Sequence, residues 1–121
     1  MATARLGRIQ LKIMQVLWQQ GRANAREITD ALSKELAIAH STVQTLLRKL
    51  EAKEAIAHDV EDRTFVFYPL IQQESVTRHA TRDLIDRVFG GSASGLVAYL
   101  LKHERISKAE LRQIRNMLDE K

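Results

Sequence analysis

Between residues 55 and 69 the hydrophobic period of this chain changes, and that change constrains its fold more than any other feature. On either side, apolar residues recur every three or four positions, as they do along one face of a helix. Within the interval, Ala55-Ile56-Ala57-His58-Asp59-Val60 reads as a strand and Glu61-Asp62-Arg63-Thr64 as a turn cluster. Phe65-Val66-Phe67-Tyr68 is a strongly β-prone run, stopped by Pro69. The expected class is therefore mainly α with a small β-hairpin. Phe65, Phe67 and Tyr68 are expected to pack the hairpin against the helices before it.

Three short helices should precede the hairpin. Leu6, Ile9, Ile13, Val16 and Leu17, widened by Leu11, Met14 and Trp18, describe a helix buried over more than half its circumference. Gly21 is its natural terminator, because glycine accepts the left-handed conformation. Asn24-Ala25-Arg26-Glu27 has capping-box spacing, and Ile28, Leu32 and Leu36 then form the buried face of a second helix reaching to about Ala37. Ser41 and Thr42 open a third. Three helices with tight connectors and a terminal hairpin outline a winged helix-turn-helix, here assigned to residues 1–70.

The third helix carries the chemistry. At 100° per residue Val43, Leu46, Leu47 and Leu50 share one stripe, and Ser41, Gln44, Thr45 and Arg48 share the other. Hydroxyls, an amide and a guanidinium can hydrogen-bond base edges and phosphates while letting a helix lie close to a groove floor. Arg48 suits guanine and Thr45 a thymine methyl or a base hydroxyl contact. Ser41, Thr42, Gln44 and Lys49 suit phosphates, with Gln44 also able to read adenine. Arg63, at the hairpin tip, is placed for a phosphate or a minor groove. His40, just ahead of the helix, is placed for a phosphate contact. The expected partner is double-stranded operator DNA. The competing reading is a winged helix used only as a protein–protein adaptor, its polar stripe an ordinary solvated surface.

After Pro69 the helical period returns. Val76, Ala80, Leu84, Ile85, Val88 and Phe89 share a face that Gly90-Gly91 ends, and Ser92 opens a helix bearing Leu96, Val97, Leu100 and Leu101. Ser107-Lys108-Ala109-Glu110 is a second capping box, with Ile106 and Leu111 spaced as a hydrophobic staple. Segments below ~70–80 residues rarely supply a core of their own. Residues 71–121 are therefore expected to form a helical dimerisation domain, the alternative being that they pack back on the winged helix. Its contacts would come from Val76, Leu84, Val88, Leu96, Val97, Leu100, Leu111, Ile114 and Leu118.

Charge and composition bound the rest. Nineteen Lys and Arg stand against fifteen Asp and Glu, a net charge of +4 compatible with a polyanionic partner but spread evenly along the chain. With no cysteine, disulfides, thiolate metal sites and a cysteine nucleophile are excluded. His40, His58, His79 and His103 fall on four different expected elements with no ligand spacing, so no metal or other cofactor is expected. Neither a phosphate-binding loop nor a nucleophile elbow occurs, and no enzymatic activity is expected. The N-terminus is too polar for a signal sequence, and the apolar run from Leu96 to Leu101 is far short of the ~20 residues of a membrane span. A cytoplasmic protein that does not insert into the membrane is the expectation.

Several motifs now combine. Ile13-Met14 with Leu17-Trp18, Thr42-Val43-Gln44-Thr45-Leu46-Leu47-Arg48-Lys49-Leu50 with Lys53, Tyr68-Pro69, and Phe89-Gly90-Gly91 with Leu96-Val97 run over nearly the whole chain. In this combination the chain resembles the penicillinase-repressor family, winged-helix regulators of β-lactamase and methicillin-resistance operons, together with their copper-responsive relatives. The resemblance implies a homodimer whose two recognition helices enter successive major grooves of a palindromic operator and block transcription. It also implies derepression when a membrane sensor-protease system, triggered by β-lactam, leads to cleavage of the C-terminal region, by position near Tyr99-Leu100. Well-studied members have Asn-Phe at that bond. The copper-responsive branch uses a cysteine-rich site that this chain does not have. Many members also have glycine after the lysine closing the recognition helix, where Glu54-Ala55 stands here.

Overall fold

A computed structural model describes residues 5–120. Its elements run in the order α1 (Arg8–Gln20), β1 (Ala23–Asn24), α2 (Ala25–Leu32), α3 (His40–Ala52), β2 (Ile56–Glu61), β3 (Thr64–Pro69), α4 (Gln73–Val88), α5 (Ala93–His103) and α6 (Lys108–Asp119). The chain forms two compact units, one up to residue 79 and one from residue 80 onward.

In the N-terminal unit, α1, α2 and α3 enclose a core in which Ile13, Met14, Leu17, Ile28, Val43, Leu47, Leu50 and Ile56 have almost no exposed surface. Half-buried Trp18 and Ile71 pack on that core, and the indole Nε1–H donates to the Ile71 carbonyl at 2.9 Å. Ile71 thus joins this unit from beyond the expected boundary at residue 70. The helix starts follow local chemistry. Asn24 Oδ1 accepts from Glu27 N–H at 2.8 Å, and the Glu27 carboxylate accepts from Asn24 N–H at 2.8 Å, completing the capping box. Gly21 has φ 85°, the conformation that lets its N–H close on the Leu17 carbonyl and end α1.

Two helix bounds differ from expectation. α2 stops at Leu32, not near Ala37, and Leu36 belongs to a turn in which its N–H bonds the Leu32 carbonyl at 3.1 Å. Ser33 competes poorly as a helix former. Stopping there also lets half-buried Ile38 reach the core. α3 begins at His40, with Ala39 in the N-cap position, so Ser41 and Thr42 lie within its first turn.

The sheet is antiparallel in the order β1-β3-β2, so the hairpin gains a third, two-residue strand, with Ala23 opposite Phe67 and Asn24 opposite Val66. In the hairpin His58 faces Phe67, Val60 faces Phe65 and Glu61 faces Thr64. Asp62 and Arg63 are then a two-residue loop, both at positive φ (51° and 65°), as the hairpin turn matching strand twist requires. Phe67 is buried as expected, but Phe65 is 49% exposed. Phe65 lies toward the tip, beyond the reach of the helical core, and stacks on His58 instead, ring centroids 3.8 Å apart.

In the C-terminal unit, Gly90 and Gly91 both take positive φ, and Gly91 N–H returns to the Ile85 carbonyl at 2.9 Å to end α4. Ser92 Oγ caps α5 through Gly95 N–H at 2.9 Å, and Ser107 Oγ caps α6 through Glu110 N–H at 3.1 Å. Among the described residues of the unit only Ile85 is a buried hydrophobic. Leu84, Val88, Val97, Leu100, Leu111, Ile114 and Leu118 are exposed, and Leu96 is half-buried. Among the described residues no single helix is long and apolar enough to cross a membrane.

Candidate nucleic-acid interface

α3 divides its surface as its sequence period dictates. Val43, Leu47 and Leu50 are buried, and Ser41, Thr42, Gln44, Thr45, Arg48 and Lys49 are all exposed. The outward side chains are not independent. Thr45 Oγ1 donates to the Ser41 carbonyl at 3.0 Å and accepts from Arg48 Nη2 at 3.3 Å. The threonine hydroxyl proton is therefore committed to the helix, leaving an acceptor and a methyl group for a partner. Arg48 rests along its own helix, its remaining guanidinium donors available for a bidentate contact.

Beside α3 lies the hairpin, and between them is a cleft of about 560 Å³. It brings together Gln44 and Arg48 from α3, Arg63 from the hairpin tip, Arg26 from α2 and His40 from the start of α3, over a floor that includes Phe65 and Phe67. Among the described residues no carboxylate lines it. Ser41, Thr42, Thr45 and Lys49 remain on the outer surface of the helix. Sequence reasoning did not find Arg26, whose local pattern marks only a helix start, nor Phe65 as a surface group.

Two of the hairpin's acids face away from the cleft. Residues directly opposite in an antiparallel pair share a face, so His58, Val60, Phe65 and Phe67 lie on one side of the hairpin and Asp59, Glu61 and Tyr68 on the other. On that second side Arg22 donates to both Glu61 and Asp59 and sits 5.6 Å over the Tyr68 ring. These hydrogen bonds, Glu61 first, hold the Arg22 guanidinium above its usual pKa, so it stays charged at any physiological pH. On the first side His58 Nδ1 meets both Glu51 carboxylate oxygens at 2.7 and 2.9 Å, tying β2 to the end of α3.

Lys53 has internal work. Its Nζ donates to the Arg5 carbonyl at 2.8 Å and to the buried Gln10 Oε1 at 3.0 Å, and Gln10 Oε1 also accepts from Gly7 N–H. Glu54, in the position after it, takes φ 64°. Tyr99 and Leu100 are both exposed but lie inside α5, where their backbone is helical. Among the described residues no group of three or more His, Asp or Glu is arranged to hold a metal ion.

A family model described as "Penicillinase repressor" matches residues 6–120. The chain belongs to the penicillinase repressor family. The penicillinase repressor of Bacillus licheniformis is 28% identical over 111 residues, covering 92% of this chain and 87% of that one. The methicillin resistance regulatory protein MecI of Mammaliicoccus sciuri is 24% identical over 110 residues, covering 91% and 89%. The solution structure of the Bacillus licheniformis BlaI monomeric form in complex with the blaP half-operator matches with TM-score 0.54 and 32% identity. It covers 62% of this chain and 93% of that chain.

Proposed function

We propose that this chain is a sequence-specific DNA-binding transcriptional repressor, acting as a homodimer on a palindromic operator. The observation that carries this reading is the exposed Gln44–Arg48 surface, continuous with a cleft that gathers three arginines and a histidine and holds no acid. A polyanion is the partner such a surface fits. The relative bound to a half-operator supports duplex DNA as that polyanion. Dimerisation is assigned to the C-terminal unit, whose apolar helix faces have too little core of their own to cover them.

In this reading Arg48 and Thr45 contact base edges, Ser41, Thr42, Gln44 and Lys49 position the helix through phosphates, and Arg63 anchors the wing. The test is duplex binding across a salt series, followed by Arg48→Ala. Phosphate contacts demand a steep loss of affinity with added salt. The substitution should weaken specific binding by ~1–3 kcal/mol and relax one operator position. A protein–protein adaptor shows no duplex binding to lose. An Arg48→Ala variant with unaltered base preference removes the assigned recognition face.

The family further supports regulation of a β-lactamase or antibiotic-resistance type of operon; relief would come through a membrane sensor protease and a cut near Tyr99-Leu100. Proteases bind extended chain, so α5 must unwind before that bond can be cut. Mass spectrometry of the chain recovered from β-lactam-treated cells tests this: an intact chain under derepressing conditions excludes it.

A further inference from the structure

One group in the cleft between α3 and the hairpin is held more tightly than its surface position requires. Thr29 is 5% exposed, and its hydroxyl donates its single proton to the Ala25 carbonyl at 2.8 Å. The same Oγ1 lies 3.0 Å from Nδ1 of His40. While that proton is donated to the Ala25 carbonyl, Thr29 accepts from Nδ1–H of His40. The contact holds the ring in one orientation. Nε2, on its other edge, has no hydrogen-bond partner among the described residues, and the ring lines the cleft beside Arg26, Arg48 and Arg63.

We propose that His40 is a proton-linked phosphate contact: as duplex DNA binds, it takes up a proton and donates from Nε2 to a backbone phosphodiester seated in the cleft. This rests on the DNA-binding reading above and adds a pH dependence to it. In neutral His40 with its hydrogen on Nδ1, Nε2 offers only a lone pair, which opposes a phosphate oxygen; in the imidazolium it is a charge-assisted donor. The imidazolium donates from Nδ1 to Thr29 as well, so the contact persists on protonation. The charged groups that line the cleft with the ring are Arg26 on α2, Arg48 on α3 and Arg63 on the hairpin, with no Asp or Glu among the described residues there. A phosphodiester brings negative charge among them. Protonation and DNA arrival are therefore coupled, each raising the affinity for the other.

The sign follows from proton uptake. Operator affinity rises as pH falls through the range of about 5 to 8 in which imidazoles change charge, by no more than about tenfold per pH unit for one proton. The experiment uses the full chain and labelled operator duplex from pH 5.5 to 8.5 at several salt concentrations. Wild-type protein should gain affinity on acidification. His40→Gln keeps a hydrogen-bonding amide but cannot protonate, and should lose most of that gain. At pH 6 its log affinity against log salt should be shallower than wild type by about 0.9, one phosphate, and this difference should shrink as pH rises. Thr29→Val, which frees the ring, should reduce the gain, while His79→Gln, on α4 and outside the cleft, should retain it. If His40→Gln reproduces the wild-type pH profile and salt slopes, the proposal is wrong and DNA binding stands. If wild-type protein shows no salt-sensitive duplex binding at any pH, the DNA-binding reading fails and takes this one with it.

Discussion

Arg63→Gly separates the folding role of the hairpin tip from its binding role, because the two should move in opposite directions. Arg63 sits at φ 65° in a two-residue turn after Asp62 at φ 51°. Left-handed backbone costs a residue with a Cβ about 1–2 kcal/mol. Glycine removes that cost but gives back roughly 0.4–1 kcal/mol through its freer unfolded chain. The net expectation is a gain of about 0.5–1 kcal/mol, or about 2–8 °C in the thermal midpoint for a unit of this size. Binding should weaken at the same time. One lost phosphate contact flattens the salt slope by about 0.9, which across a fourfold salt range is about 3.5-fold in affinity. The loss should be equal for operator and scrambled duplex, since phosphates carry no sequence. Thermal denaturation and fluorescence anisotropy on the same preparation read both effects, and Arg63→Lys should recover the slope without the stability. A destabilised glycine variant refutes the turn geometry, and an unchanged salt slope refutes the wing contact.

Glu54→Gly should stabilise the fold by a similar amount, about 0.5–1 kcal/mol, since Glu54 ends α3 at φ 64° while Ala55 N–H closes on the Leu50 carbonyl; urea denaturation measures it, and a loss of stability would mean that the Glu54 side chain matters more than its backbone. Leu118→Asp, at a position 70% exposed in the single chain, should leave the thermal stability of the N-terminal unit intact yet weaken the dimer by about 1.5–3 kcal/mol per copy. Sedimentation equilibrium checks it, and an unaltered association constant would move the dimer interface off α6.

Side-chain period carried most of what could be read in advance. The stripe Val43, Leu47 and Leu50 is buried, and the opposite stripe is exposed, because 100° per residue is a property of the local backbone alone. Hairpin bounds and the capping boxes at Asn24 and Ser107 were legible for the same reason: their chemistry spans only a few residues. What escaped was non-local. Ala23 and Asn24 become a strand only because Val66 and Phe67 arrive beside them. Arg26 and Phe65 enter the cleft only once α2, α3 and the hairpin are assembled. Lys53 shows the converse, a cation in a DNA-binding motif whose ammonium is spent on Gln10 and a backbone carbonyl.

The absence of acids from the cleft separates this protein's attraction for a polyanion from its isoelectric point. Fifteen carboxylates accompany nineteen cations, and a surface that mixed them evenly would steer nothing. What matters is sorting: Asp59 and Glu61 are turned to the side of the hairpin away from the cleft, where Arg22 pairs with both, so neither sits among Arg26, Arg48 and Arg63. Moving one of those acids across the β-ribbon, with composition unchanged, would cost more encounter rate than deleting a lysine elsewhere on the surface.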